Sequence, residues 1–320
     1  MGRSPGEPPV EMTGYEALAR ALCRHDATVY GVPGFPASEL GEAWRAAAGA
    51  PPPWSVNERV AFEMAFGLAA TGRNAAVICK QVGALSLADS LANAGFHSGG
   101  GGLLLVVADD VGPEFSTIEA DGRLLGAALR LPVLDVADPA AAAAAVAEGF
   151  RLSALARVPV TVRATQHALR RSGVCPELPQ VACLGGPIDR AVVSGLSKRG
   201  RHAHFWATVQ PLLARELGAL RPPLPVPEGD TAIVACGCPA VLAQGLGRPV
   251  IVLPYSCPLS PWPWLLEALA PYRQLLVAED GAPVLERELL QVLAPQGAAG
   301  KVRGRLTGHL PPLGAVSADD

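Results

Sequence analysis

Leu103-Leu104-Leu105-Val106-Val107-Ala108 places apolar residues side by side with no polar position between them. A strand with one wet face alternates, so an unbroken run of this length fits a strand buried on both faces. Further strand-like runs, less purely apolar, lie at 28–30, 75–79, 131–136 and 158–163. Between them come helical stripes: Leu18, Ala21 and Leu22; residues 38–48; Val60, Ala61, Met64, Ala65, Leu68 and Ala69; residues 84–94; and an alanine-rich stretch at 139–155. Strands dry on both sides, alternating with helices, predict a doubly wound α/β unit around a parallel sheet.

The rhythm stops near residue 166 and returns near residue 230. Strands are expected there at 231–235, 250–253 and 275–278, with helices at 239–246, 264–269 and 283–293. The predicted organisation is a flexible leader at 1–12, a first α/β domain at 13–166, a linker with one helix at 167–228, a smaller α/β domain at 229–300, and a tail at 301–320 with little pattern. Half the residues are hydrophobic and 17% are charged, which excludes disorder for most of the chain. A net charge of -3 without a basic stripe argues against nucleic acid. The leader lacks an apolar core, and no apolar run nears the ~18 residues of a membrane span. A soluble cytoplasmic protein is expected.

Doubly wound folds bind ligands beyond the carboxyl ends of their strands. Four loops fall there: 31–36, 80–84, 109–117 and 164–167. Pro51-Pro52-Pro53 forbids helix, so the chain reaches Trp54-Ser55-Val56 extended. Asn57 is the natural N-cap of the helix that follows, and Glu58 is its first acid. Taken alone, such an acid merely faces the positive end of a helix. Other motifs carry less. Gly99 to Gly102 precedes a strand rather than a helix and so is not a phosphate cradle. Asp109-Asp110 lacks a third ligand, so no metal is expected on this chain. Among the seven cysteines there is no Cys-x-x-Cys, and Cys236-Gly237-Cys238 reads as a strand end.

Several blocks nevertheless share order and spacing with one family. Gly31-Val32-Pro33-Gly34-Phe35-Pro36-Ala37-Ser38-Glu39 resembles the Tyr-Pro-Gly-Thr-Pro-Ser-Ser-Glu loop of the thiamine-diphosphate-dependent 2-oxoacid:ferredoxin oxidoreductases, of the indolepyruvate α-subunit type. Trp54-Ser55-Val56-Asn57-Glu58-Arg59-Val60-Ala61 is similar to their Trp-Ser-Val-Asn-Glu-Lys-Val-Ala. Lys80-Gln81-Val82-Gly83 resembles Lys-His-Val-Gly, with Asp89 at a later acidic position, and Val106-Val107-Ala108-Asp109-Asp110 matches Val-Val-Ala-Asp-Asp. Leu276 to Gly281 is a weaker match to a segment of the next domain, which would resemble the transketolase C-terminal-like domain.

The resemblance implies that residues 13–166 are a pyrimidine-binding (PYR) domain with Glu58 as its catalytic acid. Glu58 would bond N1′ of the cofactor's aminopyrimidine and favour the tautomer that deprotonates the thiazolium C2. Pro33, Gly34, Gln81, Val82 and Gly83 would line the cofactor, and Phe35, Lys80, Asp109 and Asp110 the substrate side. The family also needs a diphosphate-binding (PP) domain with Gly-Asp-Gly and a later Asn. The asparagines here are Asn57, Asn74 and Asn93, so Glu279-Asp280-Gly281 cannot open that motif. The PP domain and its Mg2+ are therefore expected on a partner chain, and iron–sulfur clusters on a partner as well. Phe35 replaces a loop hydroxyl that family members present to the substrate carboxylate, and Gln81 replaces a histidine. These two departures leave open a two-chain decarboxylase or carboligase, and a catalytically degenerate scaffold subunit.

Overall fold

The computed structural model describes residues 9–97, 99–176, 181, 183–188, 196–317 and 319. It opens with β1 (Val10–Thr13) and α1 (Gly14–Arg24), where Thr13 and Glu16 form a reciprocal capping box. The main sheet then takes β2 (Thr28–Gly31), β3 (Ala75–Lys80), β4 (Leu103–Asp109), β5 (Val133–Val136) and β6 (Val160–Thr165) in the spatial order β5-β6-β4-β3-β2, all parallel. β4 is buried along its whole length. Leu104, Val106 and Ala108 face a core made with α1, α2 (Ala37–Ala48) and α7 (Pro139–Ala156). Leu103, Leu105 and Val107 face the other core, with α3 (Glu58–Ala70) and α5 (Ala88–His97). Two dry faces are what the unbroken apolar run requires, each buried Leu or Val contributing roughly 1.5–3 kcal/mol.

Between these elements lie the short helices α4 (Gln81–Leu85), α6 (Leu124–Leu129) and α8 (Gln166–Arg170). β7 (Ser172–Cys175) then returns to pair antiparallel with β1, so residues 10–12, expected as leader, are strand. In the expected linker, α9 (Lys198–His204) runs through a π turn (Phe205–Val209) into α10 (Gln210–Ala219). Phe205, Val209 and Leu213 of this segment close the second core.

The second unit holds β8 (Thr231–Ala235), α11 (Cys238–Gln244), β9 (Val250–Val252), β10 (Tyr255–Cys257), α12 (Pro263–Leu269), β11 (Gln274–Ala278), α13 (Val284–Leu293) and β12 (Val302–Arg303). Its parallel sheet has the order β12-β11-β8-β9. Two features depart from the sequence reading. The main sheet does not end at residue 166: β10 crosses over and pairs antiparallel with β5 as its sixth strand. Tyr-Ser-Cys is too short to announce itself as a strand, and it exists because β5, fully buried, needs a covered edge. The tail also starts with β12, and Arg305 anchors it by donating to the backbone oxygens of Glu279 and Gly314.

A buried ionic cluster joins the two units. Arg123, fully buried, donates to Asp121 at 2.6 Å, to Glu279 at 2.7 Å and to the Asp280 and Ala282 carbonyls. Arg163 donates to Asp109 at 2.8 Å and to the Asp280 carbonyl at 3.2 Å. Glu279, in the segment that weakly matches the family's following domain, accepts the N–H groups of Val284, Leu285 and Glu286 and so caps α13.

Candidate active site

The parallel register sets Gly31, Lys80, Asp109 and Thr165 at one edge of the main sheet. The loops that follow them are therefore neighbours. A fifth segment joins them, because Trp54 bridges Gly31 alongside β2 and Ser55 donates its N–H to the Gly31 oxygen at 2.8 Å. The Trp54 indole lies on the bare backbone of Gly31, where a Cβ would stand 2.7 Å from the ring. This short extension carries the start of α3 to the carboxyl edge of the sheet. Asn57 caps the helix there, its Oδ1 accepting from the Val60 N–H at 2.9 Å.

Glu58, first residue of α3, is half-buried and its carboxylate covers Gly83, so that a Cβ built on Gly83 would fall on Oε1. Among the described residues no group donates a hydrogen bond to it and no cation pairs with it. A partly desolvated carboxylate at the positive end of a helix, without a protein donor, is equipped to hold a polar group of a ligand. The Cys79 thiol below is fully buried; burial, and next the Glu58 charge, push its pKa far up, so it is not a nucleophile.

The other expected residues separate into two groups. Gly34 packs over the Lys80 side chain, where a Cβ would lie 2.8 Å from Cδ, while Pro33 is exposed and Val82 half-buried. Gln81 is fully buried; its Nε2 reaches the Asp110 carbonyl at 3.5 Å and the Ser116 hydroxyl at 3.4 Å, and its Oε1 accepts no bond from the protein. Lys80 Nζ lies 3.4 Å from the same hydroxyl. The Phe35 ring meets Phe115 edge-on with centroids 4.7 Å apart, and the Arg170 guanidinium sits 5.3 Å from the Phe35 centroid. Arg170 is itself held by Glu114 at 2.8 Å.

Asp109 and Asp110, expected on the substrate side, are both buried with other partners. Asp109 turns into the ionic cluster toward Arg163 and Gly122. Burial pushes it up to about 6, with Arg163 pulling against this and Asp121 adding to it. Asp110 accepts the N–H groups of Glu114, Phe115 and Ser116 at 2.8 to 3.0 Å. Burial would raise it, but those donors hold it below the usual carboxylate range. Adjacent strand residues point to opposite faces, and here one braces the domain junction while the other shapes the loop. Ser116 escaped the sequence reading because a lone serine in a loop has no pattern, and Arg123 and Arg163 because nothing in their spacing marks them as buried.

The glycine-rich loop is no ligand site: Gly101 abuts the Arg73 backbone and Gly100 that of Gly186, so its bare backbone serves close packing. Cys236 and Cys238 are buried free thiols, and burial raises both. Among the described residues no three His, Cys, Asp or Glu side chains are grouped for a metal, and no helix is long and apolar enough to cross a membrane.

Residues 12–109 match the family model described as thiamine pyrophosphate enzyme, N-terminal TPP binding domain. The indolepyruvate oxidoreductase subunit IorA of Methanothermobacter thermautotrophicus is 28% identical over 325 residues, 96% of this chain and 52% of the relative. IorA of Archaeoglobus fulgidus is 28% identical over 94% of the chain and 51% of its own length. The chain thus spans about half the length of these curated relatives. A solved 2-oxoglutarate:ferredoxin oxidoreductase from Magnetococcus marinus superposes with TM-score 0.72 at 15% identity, over 95% of this chain and 63% of that one. A split-gene transketolase, described as an inactive β4 tetramer, superposes with TM-score 0.53 at 15% identity, over 88% and 84%. With a helix-capped glutamate set where the strands end, residues 12–109 are similar to the thiamine pyrophosphate enzyme N-terminal domain, and nearly the whole chain is similar to about half of the IorA subunits.

Proposed function

We propose that this chain is the PYR-bearing subunit of a multi-subunit thiamine-diphosphate-dependent 2-oxoacid oxidoreductase, with residues 13–166 as the PYR domain. The observation that carries the reading is the Glu58 carboxylate, half-buried over Gly83 and without a protein partner. Its place at the α3 N-terminus suits a proton shared with a ring nitrogen, and Gly83 leaves the carboxylate room that any larger residue would fill. Thiamine diphosphate, when bound, supplies a nucleophilic carbon and an electron sink for the carbon freed from a 2-oxoacid. The chain's own part is to hold the aminopyrimidine and to keep a proton at N1′ through Glu58.

No Asn follows the Asp280-Gly281 pair within residues 282–320, so that pair is not the diphosphate motif; the diphosphate and its Mg2+ are assigned to a PP domain, and the iron–sulfur centres to a further component, beyond residues 1–320. An apolar strip beside Glu58 supports a PP domain docked at this edge. Val56 is 89% exposed, and Val60, Met64 and Leu85 are exposed nearby, a cost in water that a docked PP domain would remove.

The test pairs the chain with a co-purifying protein carrying Gly-Asp-Gly and a later Asn. The assembly should bind thiamine diphosphate far more tightly than the chain alone and exchange its C2 proton with solvent. Glu58→Gln should slow that exchange by about 10²-fold or more, the range of a lost acid–base group. Undiminished exchange in the variant would remove Glu58 from the mechanism.

A further inference from the structure

β9 is an edge strand of the second sheet, paired with β8 on one side and, among the described residues, with no strand on the other. The Ile233 N–H donates to the Pro249 oxygen at 2.9 Å, and the Leu253 N–H to the Ala235 oxygen at 2.8 Å. Peptide groups alternate in direction along a strand. Residues 249, 251 and 253 therefore face β8, and the N–H and C=O groups of Val250 and Val252 face the open side. Those four groups have no bonding partner among the described residues. An open edge of this kind is a template for another strand, and neither valine carries a charge that would block one.

The two valines line a cavity of about 530 Å³, within the roughly 300–1,000 Å³ of ligand-holding clefts. Ala141, Ala144 and Ala145, on one face of α7, line it as well, and their small side chains keep the space clear. Leu220 and Pro222 add apolar wall. Three charged residues border it. Glu148 is engaged by Arg151 at 2.6 and 2.8 Å, and the Asp135 carboxylate is 3.5 Å from Arg163. Arg221 is exposed and, among the described residues, has no ion pair.

An occupant must offer donors and acceptors at strand spacing, apolar atoms for the alanines, and an anion for Arg221. A purely apolar molecule would strip water from four peptide groups and replace none of their hydrogen bonds. The edge of a second folded copy fits poorly, because this edge borders a cavity shared with α7 and the 220–223 segment rather than an open face. A single extended chain meets all three demands.

We propose that this cavity docks an extended peptide segment of a partner protein, which adds as a strand beside β9. It would set an apolar side chain on the α7 alanines and a carboxylate on Arg221. Backbone pairing gives affinity with little regard to sequence, while the alanine-lined space and Arg221 select an apolar residue followed by an acidic one. The site is built from residues between Leu134 and Pro254 and stands apart from Glu58.

The test uses the full chain and the probe fluorescein-Thr-Val-Thr-Val-Asp, read by anisotropy, with amide hydrogen exchange as a second readout. In the free chain the Val252 N–H should exchange quickly and the Ile251 N–H slowly; saturating peptide should slow Val252 about tenfold or more. Of two probes N-methylated at alternate residues, one should lose about tenfold or more in affinity and the other keep it, since one set of N–H groups faces β9. Val252→Pro, which removes the outward N–H, and Ala144→Phe, which fills the cavity, should each weaken binding about tenfold or more. Arg221→Gln should weaken it about threefold and flatten its salt dependence. Circular dichroism confirms that each variant is folded. No binding by folded wild type, equal loss with both methylation patterns, or a Val252 N–H already protected in the free chain overturns the proposal. Tighter binding of decanoate than of the peptide assigns the cavity to a small apolar ligand. A dimer in sedimentation equilibrium that Val252→Pro dissociates assigns the edge to a second copy, and either result overturns the proposal.

Discussion

Glu58 and Gly83 stand in such close relation that no side chain is possible at position 83 while the glutamate keeps its place. The two come from different elements, the first turn of α3 and the short α4 that follows β3. Gly83→Ala should therefore displace the carboxylate without harming the fold. In the assembled enzyme, C2-proton exchange should drop by at least tenfold while the circular dichroism spectrum is kept. Wild-type exchange in this variant would mean that the carboxylate is free to work from another position.

Asn57 should matter twice. Its side chain satisfies one orphan N–H of α3, so Asn57→Ala should cost about 1 kcal/mol in a urea titration. The same change loosens the turn that carries Glu58, so cofactor affinity in the assembly should fall more than stability does. Asn57→Asp, which keeps the cap, should recover stability but place a second negative charge beside Glu58.

Arg123 is the most demanding residue of the domain junction. Removing it strands Asp121 and Glu279, both buried, without their cation. Arg123→Met should destabilise the chain by about 3–5 kcal/mol in denaturant unfolding, because breaking one side of a buried pair leaves an uncompensated charge. A loss under 1 kcal/mol would show that water enters the cluster and that the pairing is not tight.

The same cluster should produce a pH-dependent stability. Asp109 holds its proton up to about 6 in the folded chain, against about 3.9 when unfolded. Between roughly pH 4 and 6 the folded state binds more proton at this site, so its contribution falls as pH rises through that window and is level above it. Asp109→Asn removes that dependence. The gap between the wild-type and variant urea midpoints should change between pH 4 and 6 and hold steady from pH 7 to 8; a constant gap throughout counts against a protonated Asp109.

The sequence by itself determined the alternating α/β architecture and the start of the helix that carries Glu58. Unbroken apolar runs such as 103–108 point to two-sided burial, and Asn57 before an apolar helical stripe points to a helix start, so β4 and α3 were legible as local patterns. What the tertiary structure decided is everything set by contacts distant in the chain. Tyr255 to Cys257 became the sixth strand of the first sheet because β5 needed an edge, not because three residues prefer to be extended. Asp109 and Asp110, alike in sequence, were parted by the pleat, one toward Arg163 and the other toward the N–H groups of 114–116. Ser116, from a loop with no pattern, was brought to Lys80 and Gln81 by strand register. Periodicity encodes which face of an element is dry; which charge meets which is fixed only when the elements pack.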